Sequence, residues 1–148
     1  VHETLSATSQ DLVQFDEVIT KIIQGASELN IRPNEIQIKK VGEFGLISSM
    51  VATPLALVLT ELIHNALEHG LSISGDLVEL RINRQAASMT ITVTDNGAGI
   101  PNDFSLELNT NLGLQIVQTL TKNELAGKIE FIKQNIGTQV QISFPLER

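Results

Sequence analysis

Residues 53–70 read TPLALVLTELIHNALEHG. Leu55, Val58, Leu59, Leu62 and Ala66 recur at the three- and four-residue spacing of a helix, which makes one side of it apolar. The other side carries Glu61, Asn65 and the Glu68/His69 pair, and the same spacing gathers them into one polar stripe. Thr53 can cap the helix, Pro54 suits its first position and Gly70 offers a C-terminal stop. A polar stripe on a largely apolar helix needs a reason, and the reading here is that it faces a ligand.

Downstream of this helix two alternating strands are expected. Val78, Leu80 and Ile82 point one way in the first, and Met89, Ile91 and Val93 point one way in the second. Arg84 to Ala87 joins them as a hairpin. The second strand runs into Asp95-Asn96-Gly97-Ala98-Gly99-Ile100-Pro101. Asp95 shares parity with Met89, Ile91 and Val93, so it points to the core side at the strand end. A carboxylate there is costly unless something hydrogen-bonds it. Asn102 to Thr110 forms a polar loop containing Phe104, Leu106 and Leu108, and Asn111-Leu112-Gly113-Leu114 opens a helix through Ile116, Val117 and Leu120. A last hairpin pairs Ile129 and Phe131 with Thr138, Val140, Ile142 and Phe144, with Gly137 at its turn and Pro145 at its end. Thr138 thereby has the same core-side parity as Asp95.

Upstream, Leu12 to Phe15 is a short strand, and Asp16 caps a helix from Glu17 to about Leu29 that Pro33 and Asn34 end. Val18, Ile19, Ile22, Ile23 and Ala26 give that helix its apolar face. Ile36 and Ile38 mark a half-buried strand, Gly42 to Gly45 a turn, and Leu46 to Val51 a returning strand. The first ten residues, VHETLSATSQ, read as a tail or linker, and His2 as part of it. Strands and helices segregate rather than alternate, which implies an α+β fold: a two-layer α/β sandwich, one mixed, mostly antiparallel sheet with helices on one face. A pocket can open between those layers.

Composition narrows the function. The chain has 148 residues, 42% hydrophobic and 18% charged, enough for one domain with a core. It has no cysteine, which excludes disulfides, thiolate catalysis and cysteine-based zinc sites. The net charge of -7, with scattered Lys and Arg and neither Trp nor Tyr, argues against a nucleic-acid partner. No apolar run reads as a membrane span and no secretion signal is visible, so no direct membrane contact and a cytoplasmic location are expected.

Four pieces occur together in order: Glu61 with Asn65; Asp95 followed by Gly97 and Gly99; Leu112-Gly113-Leu114; and Gly137-Thr138. This order resembles the catalytic ATP-binding domain of sensor histidine kinases, in the superfamily that also holds gyrase, Hsp90 and MutL. ELIHNALEHG resembles the N box, DNGAGIP the G1 box, NLGLQIV the G2 box and GTQVQISFPL the closing strand. The finer resemblance is to the HisKA_2 group with its PdtaS-like kinases, through the TPLALVLTEL lead, the short lid and the LGLQIV helix.

The resemblance implies a Bergerat fold and Mg²⁺-ATP as cofactor. Residues 11–148 would be the catalytic domain, and residues 1–10 the tail of an upstream dimerisation region. It implies Asn65 as the Mg²⁺ ligand and Glu61 beside the metal in a polarising or base role. Asp95 would accept a hydrogen bond from the adenine amino group, with Gly97, Gly99 and Ile100 in close approach. Leu112, Gly113 and Leu114 would lie at the phosphates, Thr138 at the adenine end, and His69 in the pocket. The expected activity is transfer of the γ-phosphoryl group to a histidine on a separate dimerisation domain, and on to a response regulator. Glu68 stands where many relatives have lysine, and Asn111 where the G2 box usually has glycine. These departures keep open a degenerate nucleotide-binding interaction module without turnover, and a serine kinase of the anti-sigma type on the same fold is the second enzyme reading.

Overall fold

The structure, a computed structural model, describes residues 11–28, 36–70, 75–97 and 112–146. In chain order these form β1 (Leu12–Gln14), α1 (Phe15–Glu28), β2 (Gln37–Val41), β3 (Leu46–Ser48), α2 (Ser49–Asn65), β4 (Leu77–Arg84), β5 (Ser88–Asp95), α3 (Leu112–Thr119), β6 (Lys128–Lys133) and β7 (Thr138–Pro145). Two π-helical turns, Ala66–Gly70 and Leu120–Glu124, extend α2 and α3.

Five strands form one sheet in the order β2-β4-β5-β7-β6. The β2–β4 pair is parallel and the other pairs are antiparallel, as the hairpin spacing implies. The alternation in β4, β5 and β7 puts Val78, Leu80, Ile82, Met89, Ile91, Val93, Val140, Ile142 and Phe144 on one face. That face packs into a single core with Phe15 and Ile19 of α1, Leu55, Val58, Leu59, Leu62 and Ile63 of α2, and Val117 of α3. The opposite face carries the half-buried Thr90, Thr92, Thr94, Gln139 and Gln141. The fold is therefore the expected two-layer sandwich. One addition is that β1 and β3 form their own two-stranded antiparallel ladder instead of joining the main sheet.

Three local expectations are corrected. The helix of the opening stretch begins at Ser49, not Thr53, because the Ser48 side chain accepts the Met50 N–H and caps it. Val51 and Ala52 are thereby buried in the first turns, and Pro54 lies inside the helix. Burial of the extra turn prevails over proline's preference for a helix start. The residues from Leu46 onward consequently make a strand of 3 residues only. By length and composition alone Ser49–Glu68 could pass for a membrane span, but it is the core helix of the domain, and more than half of it is buried.

Asp16 is the third correction. It does not cap α1; its carboxylate reaches across to the N–H groups of Phe44 and Gly45, each at 2.9 Å, and pairs with Lys40 Nζ at 2.8 Å. From the other side Arg84 Nη1 donates to the carbonyls of Phe44 and Leu46 at 2.6 and 2.7 Å. The turn before β3 is thus held by an anion on its donors and a cation on its acceptors. Burial pushes the Asp16 pKa up, but the Lys40 hydrogen bond and the two N–H groups outweigh it and hold the carboxyl at about 2. A depressed native pKa adds stability that is fully present above the unfolded value and is lost as pH falls through the native one. Asp16→Asn is expected to cost about 1–2 kcal/mol at neutral pH, with the difference closing between about pH 4 and pH 2. Urea unfolding across that range checks it; a loss independent of pH would assign the effect to packing instead.

Candidate functional site

The β5 ladder carries Asp95 to the core-facing side at the end of the sheet. One rung crosses four strands there: Val78 on β4, Asp95 on β5, Thr138 on β7 and Lys133 on β6. Asp95 is only 5% exposed, a depth at which carboxylates are rare without a partner. Its Oδ1 accepts the Gly97 N–H at 2.9 Å, and the Thr138 backbone N–H is a second donor. Burial raises the Asp95 pKa, opposed in part by these two N–H groups. Among the described residues no cation pairs with it. The sheet therefore holds an oriented, poorly solvated acceptor that two backbone donors only partly satisfy.

The helical wall comes from α2. Glu61 and Asn65 lie one turn apart and are both half-buried. The Asn65 Nδ2 is buried without a hydrogen-bond partner, an arrangement that normally marks a missing ligand or water. At this point the helix passes into the π-helical turn Ala66–Gly70, which packs against β5. Such turns recur at functional sites. The polar stripe divides here, because Glu68 pairs with His64 one turn back on the exposed side rather than standing beside Asn65. The side chain of His69 lies outside the described residues.

The third wall is α3, which packs against α2. Its first residue, Leu112, is 72% exposed, Gly113 is half-buried and Leu114 turns into the interior. Gly99 and Ile100, with the whole of 98–111, lie outside the described residues. Asp95, Gly97 and Thr138 meet at the end of the sheet, and the π-helical turn that follows Asn65 packs against β5, while Leu112, Gly113 and Leu114 begin the helix that packs against α2.

Two residues here do more than the sequence reading assigns: Gly137 is read there only as a turn, and Asn96 is given no role. Gly137, at φ +84°, packs so closely that an added Cβ would lie 1.8 Å from the Asp95 carbonyl oxygen. Its place before Thr138 was visible, but its contact was not. Asn96 accepts the N–H groups of Asp76 and Leu77 at 3.0 Å and donates to Asp76 Oδ1 at 2.9 Å. Nothing local in the sequence announces these bonds, whose partners lie 19 and 20 residues away.

No group of three or more His, Asp or Glu side chains among the described residues could hold a metal ion unaided. A hard cation at Asn65 would take one amide oxygen and draw its remaining ligands from phosphates and water, which is how Mg²⁺ is usually bound with nucleotides. Asn65, whose Nδ2 is left to donate to an anion beside such an ion, and Glu61 one helical turn before it fit that arrangement.

Comparison with known proteins agrees with this fold. The family model described as histidine kinase-, DNA gyrase B-, and HSP90-like ATPase matches residues 50–148. The chain is 37% identical over 151 residues to the sensor histidine kinase PdtaS of Mycobacterium tuberculosis, covering 100% of this chain and 30% of that protein. It is 30% identical to blue-light-activated histidine kinase 2 of Erythrobacter litoralis, covering 84% of this chain and 34% of that one. The structure of a blue-light activated histidine kinase from Erythrobacter litoralis matches with a TM-score of 0.82 at 26% identity, over 90% of this chain and 42% of that one. The catalytic domain of histidine kinase ThkA matches with a TM-score of 0.75 at 22% identity, over 91% and 95%, a likeness of fold alone. The chain spans about a third of the length of these curated relatives. A sandwich with this topology, a polar helix wall and a buried aspartate at a strand end, matched over residues 50–148, leaves one assignment: the chain belongs to the histidine kinase-, DNA gyrase B- and HSP90-like ATPase family, as an ATP-binding domain homologous to the catalytic domains of sensor histidine kinases.

Proposed function

We propose that this domain binds Mg²⁺-ATP between its sheet and its helices and transfers the γ-phosphoryl group to a histidine on a separate dimerisation domain. A response-regulator aspartate then takes it, in the cytoplasm. In this reading residues 11–148 are the catalytic unit and residues 1–10 the tail of the dimerisation region. The buried Asp95 carboxylate, aimed at the interlayer junction with acceptor capacity to spare, is the observation that carries the proposal.

Asp95 accepts the adenine amino group, which satisfies a carboxylate that burial otherwise penalises. Gly97 and Gly99 let the backbone approach the base, Ile100 lies against it, and Thr138, next to Asp95 on the same rung, supports that end. The start of α3, at Leu112, Gly113 and Leu114, offers backbone N–H groups to the phosphates. Asn65 would hold the metal through its amide oxygen, leaving Nδ2 to donate to a phosphate oxygen, and His69 would contribute to the pocket. The Mg²⁺ ion, when bound, neutralises phosphate charge. Glu61, one helical turn before Asn65, orients water and accepts the proton that the attacking imidazole releases. The bond from the γ-phosphorus to the bridging oxygen breaks, ADP leaves, and a phosphorus–nitrogen bond forms on the histidine. The work asked of the site is positioning and charge neutralisation.

The relatives reported above carry histidine kinase names, which does not favour the serine-kinase alternative. Titration calorimetry with ATP, with and without Mg²⁺, separates the kinase reading from an inert module. Wild type is expected to bind, and Asn65→Ala to lose about tenfold in affinity in Mg²⁺ and little without it, since one metal ligand is worth at least a charge-assisted hydrogen bond. No heat at millimolar nucleotide would overturn the nucleotide-binding reading and leave a module that only binds partners.

A further inference from the structure

We propose that Asn96 is a positioning residue for nucleotide recognition, its side-chain amide tying the turn that carries Asp95 and Gly97 to the start of β4 through Asp76. The inference rests on the nucleotide-binding reading of Asp95 given above. The β5 ladder ends at Asp95, opposite Val78. Beyond it the Gly97 N–H must still be held in line with Asp95 Oδ1, at 2.9 Å, for the carboxylate to keep its orientation. The backbone contributes one long bond to this end, from the Asn96 N–H to the Leu77 carbonyl at 3.3 Å.

The amide contributes the rest. Its oxygen uses both lone pairs, on the N–H groups of Asp76 and Leu77 at 3.0 Å, and its nitrogen donates to Asp76 Oδ1 at 2.9 Å. Asp76 is itself a junction, since its carbonyl accepts the Gln37 N–H at 2.8 Å where β2 begins. One side chain therefore anchors the nucleotide-facing turn to the ends of two neighbouring strands. Only asparagine fits this position at this reach: alanine has neither function, and aspartate keeps the acceptors but turns the donor into a second negative charge against Asp76.

That asymmetry supplies the test. Asn96→Asp should weaken Mg²⁺-ATP binding by about tenfold, because two carboxylates then face each other at the tether. Asp76→Asn should bind within about threefold of wild type, because its amide oxygen still accepts from Asn96. The double variant should recover to within about threefold, because the amide then present at position 76 donates to the new carboxylate. Calorimetry measures affinity, and urea unfolding of the same four proteins measures stability. A double variant that binds as weakly as Asn96→Asp, or an Asn96→Asp that loses stability with affinity intact, overturns the proposal. A second measurement needs no nucleotide: carboxyl-carbon NMR titration of Asp95 in Asn96→Ala. Release of the Gly97 N–H should move the Asp95 midpoint up, and an unmoved midpoint overturns the tether. If wild type binds no ATP, the nucleotide reading falls, and the titration alone decides whether Asn96 positions Asp95.

Discussion

Asp95→Asn will lose nucleotide binding by about a hundredfold and leave the domain as stable as wild type or more so. The two halves of that result come from one geometry. A 5%-exposed carboxylate with two backbone N–H donors is held by too few partners to be at ease when ionised, and burial raises its pKa accordingly. The sign follows from linkage. A raised native pKa means the folded state favours the protonated form, so ionisation withdraws stability as pH rises from the unfolded value through the native one. Asparagine removes the charge and keeps an oxygen for the Gly97 N–H. For the ligand the exchange has the opposite sign. The amino group of adenine is a donor and needs an acceptor, and the new amide can present a donor there instead. A charge-assisted hydrogen bond is lost and a buried donor faces another donor, together on the order of 3 kcal/mol. Calorimetry and thermal unfolding of the same preparation check both halves. A variant that binds like wild type removes Asp95 from the site, and one that unfolds makes the carboxylate a structural group.

The sequence showed Asp95 because strand alternation is rigid. Once Met89, Ile91 and Val93 face the core, a residue two further on has nowhere else to point. The same logic placed Thr138 opposite it and set the antiparallel hairpins. Helical spacing likewise placed Glu61 and Asn65 together. What stayed hidden depends on long-range partners. Asp16 follows a short strand and precedes a helical pattern, which reads as a cap, yet its oxygens serve amides 28 and 29 residues away. The start of α2 was misplaced because Ser48 and the burial of Val51 and Ala52 decide it, whereas Thr53-Pro54 is the stronger local signal. The polar stripe was read as one surface, but the i,i+4 pairing of His64 with Glu68 draws Glu68 away to the exposed side. Asn96 sat in full view inside a recognisable motif, and only its hydrogen bonds show what its amide does.

Gly137→Ala is the second large effect, and it should unfold the site and much of the sheet with it. Glycine stands at φ +84°, where any other L-residue but asparagine or aspartate is strained by roughly 1–2 kcal/mol before contacts are considered. Contacts then add more. The added carbon would lie 1.8 Å from the Asp95 oxygen, 2.7 Å from its carbonyl carbon and 2.8 Å from Asn96 Cα, all of them backbone atoms that no rotamer change can move aside. Either the β6–β7 hairpin lifts away from β5, which breaks the Asp95–Thr138 rung, or the Asp95-Asn96-Gly97 turn moves and takes the carboxylate with it. Both routes cost stability, on the order of 3 kcal/mol or more, and both remove the nucleotide acceptor. Gly25 is the internal control. It lies within α1, a Cβ there would meet no atom within 4 Å, and Gly25→Ala should stabilise by up to about 1 kcal/mol through helix propensity alone. Urea unfolding of the two alanine variants should therefore move in opposite directions from wild type. If Gly137→Ala unfolds at the wild-type midpoint and still binds Mg²⁺-ATP, the close seat of the last hairpin on the Asp95 turn is not what holds that turn in place.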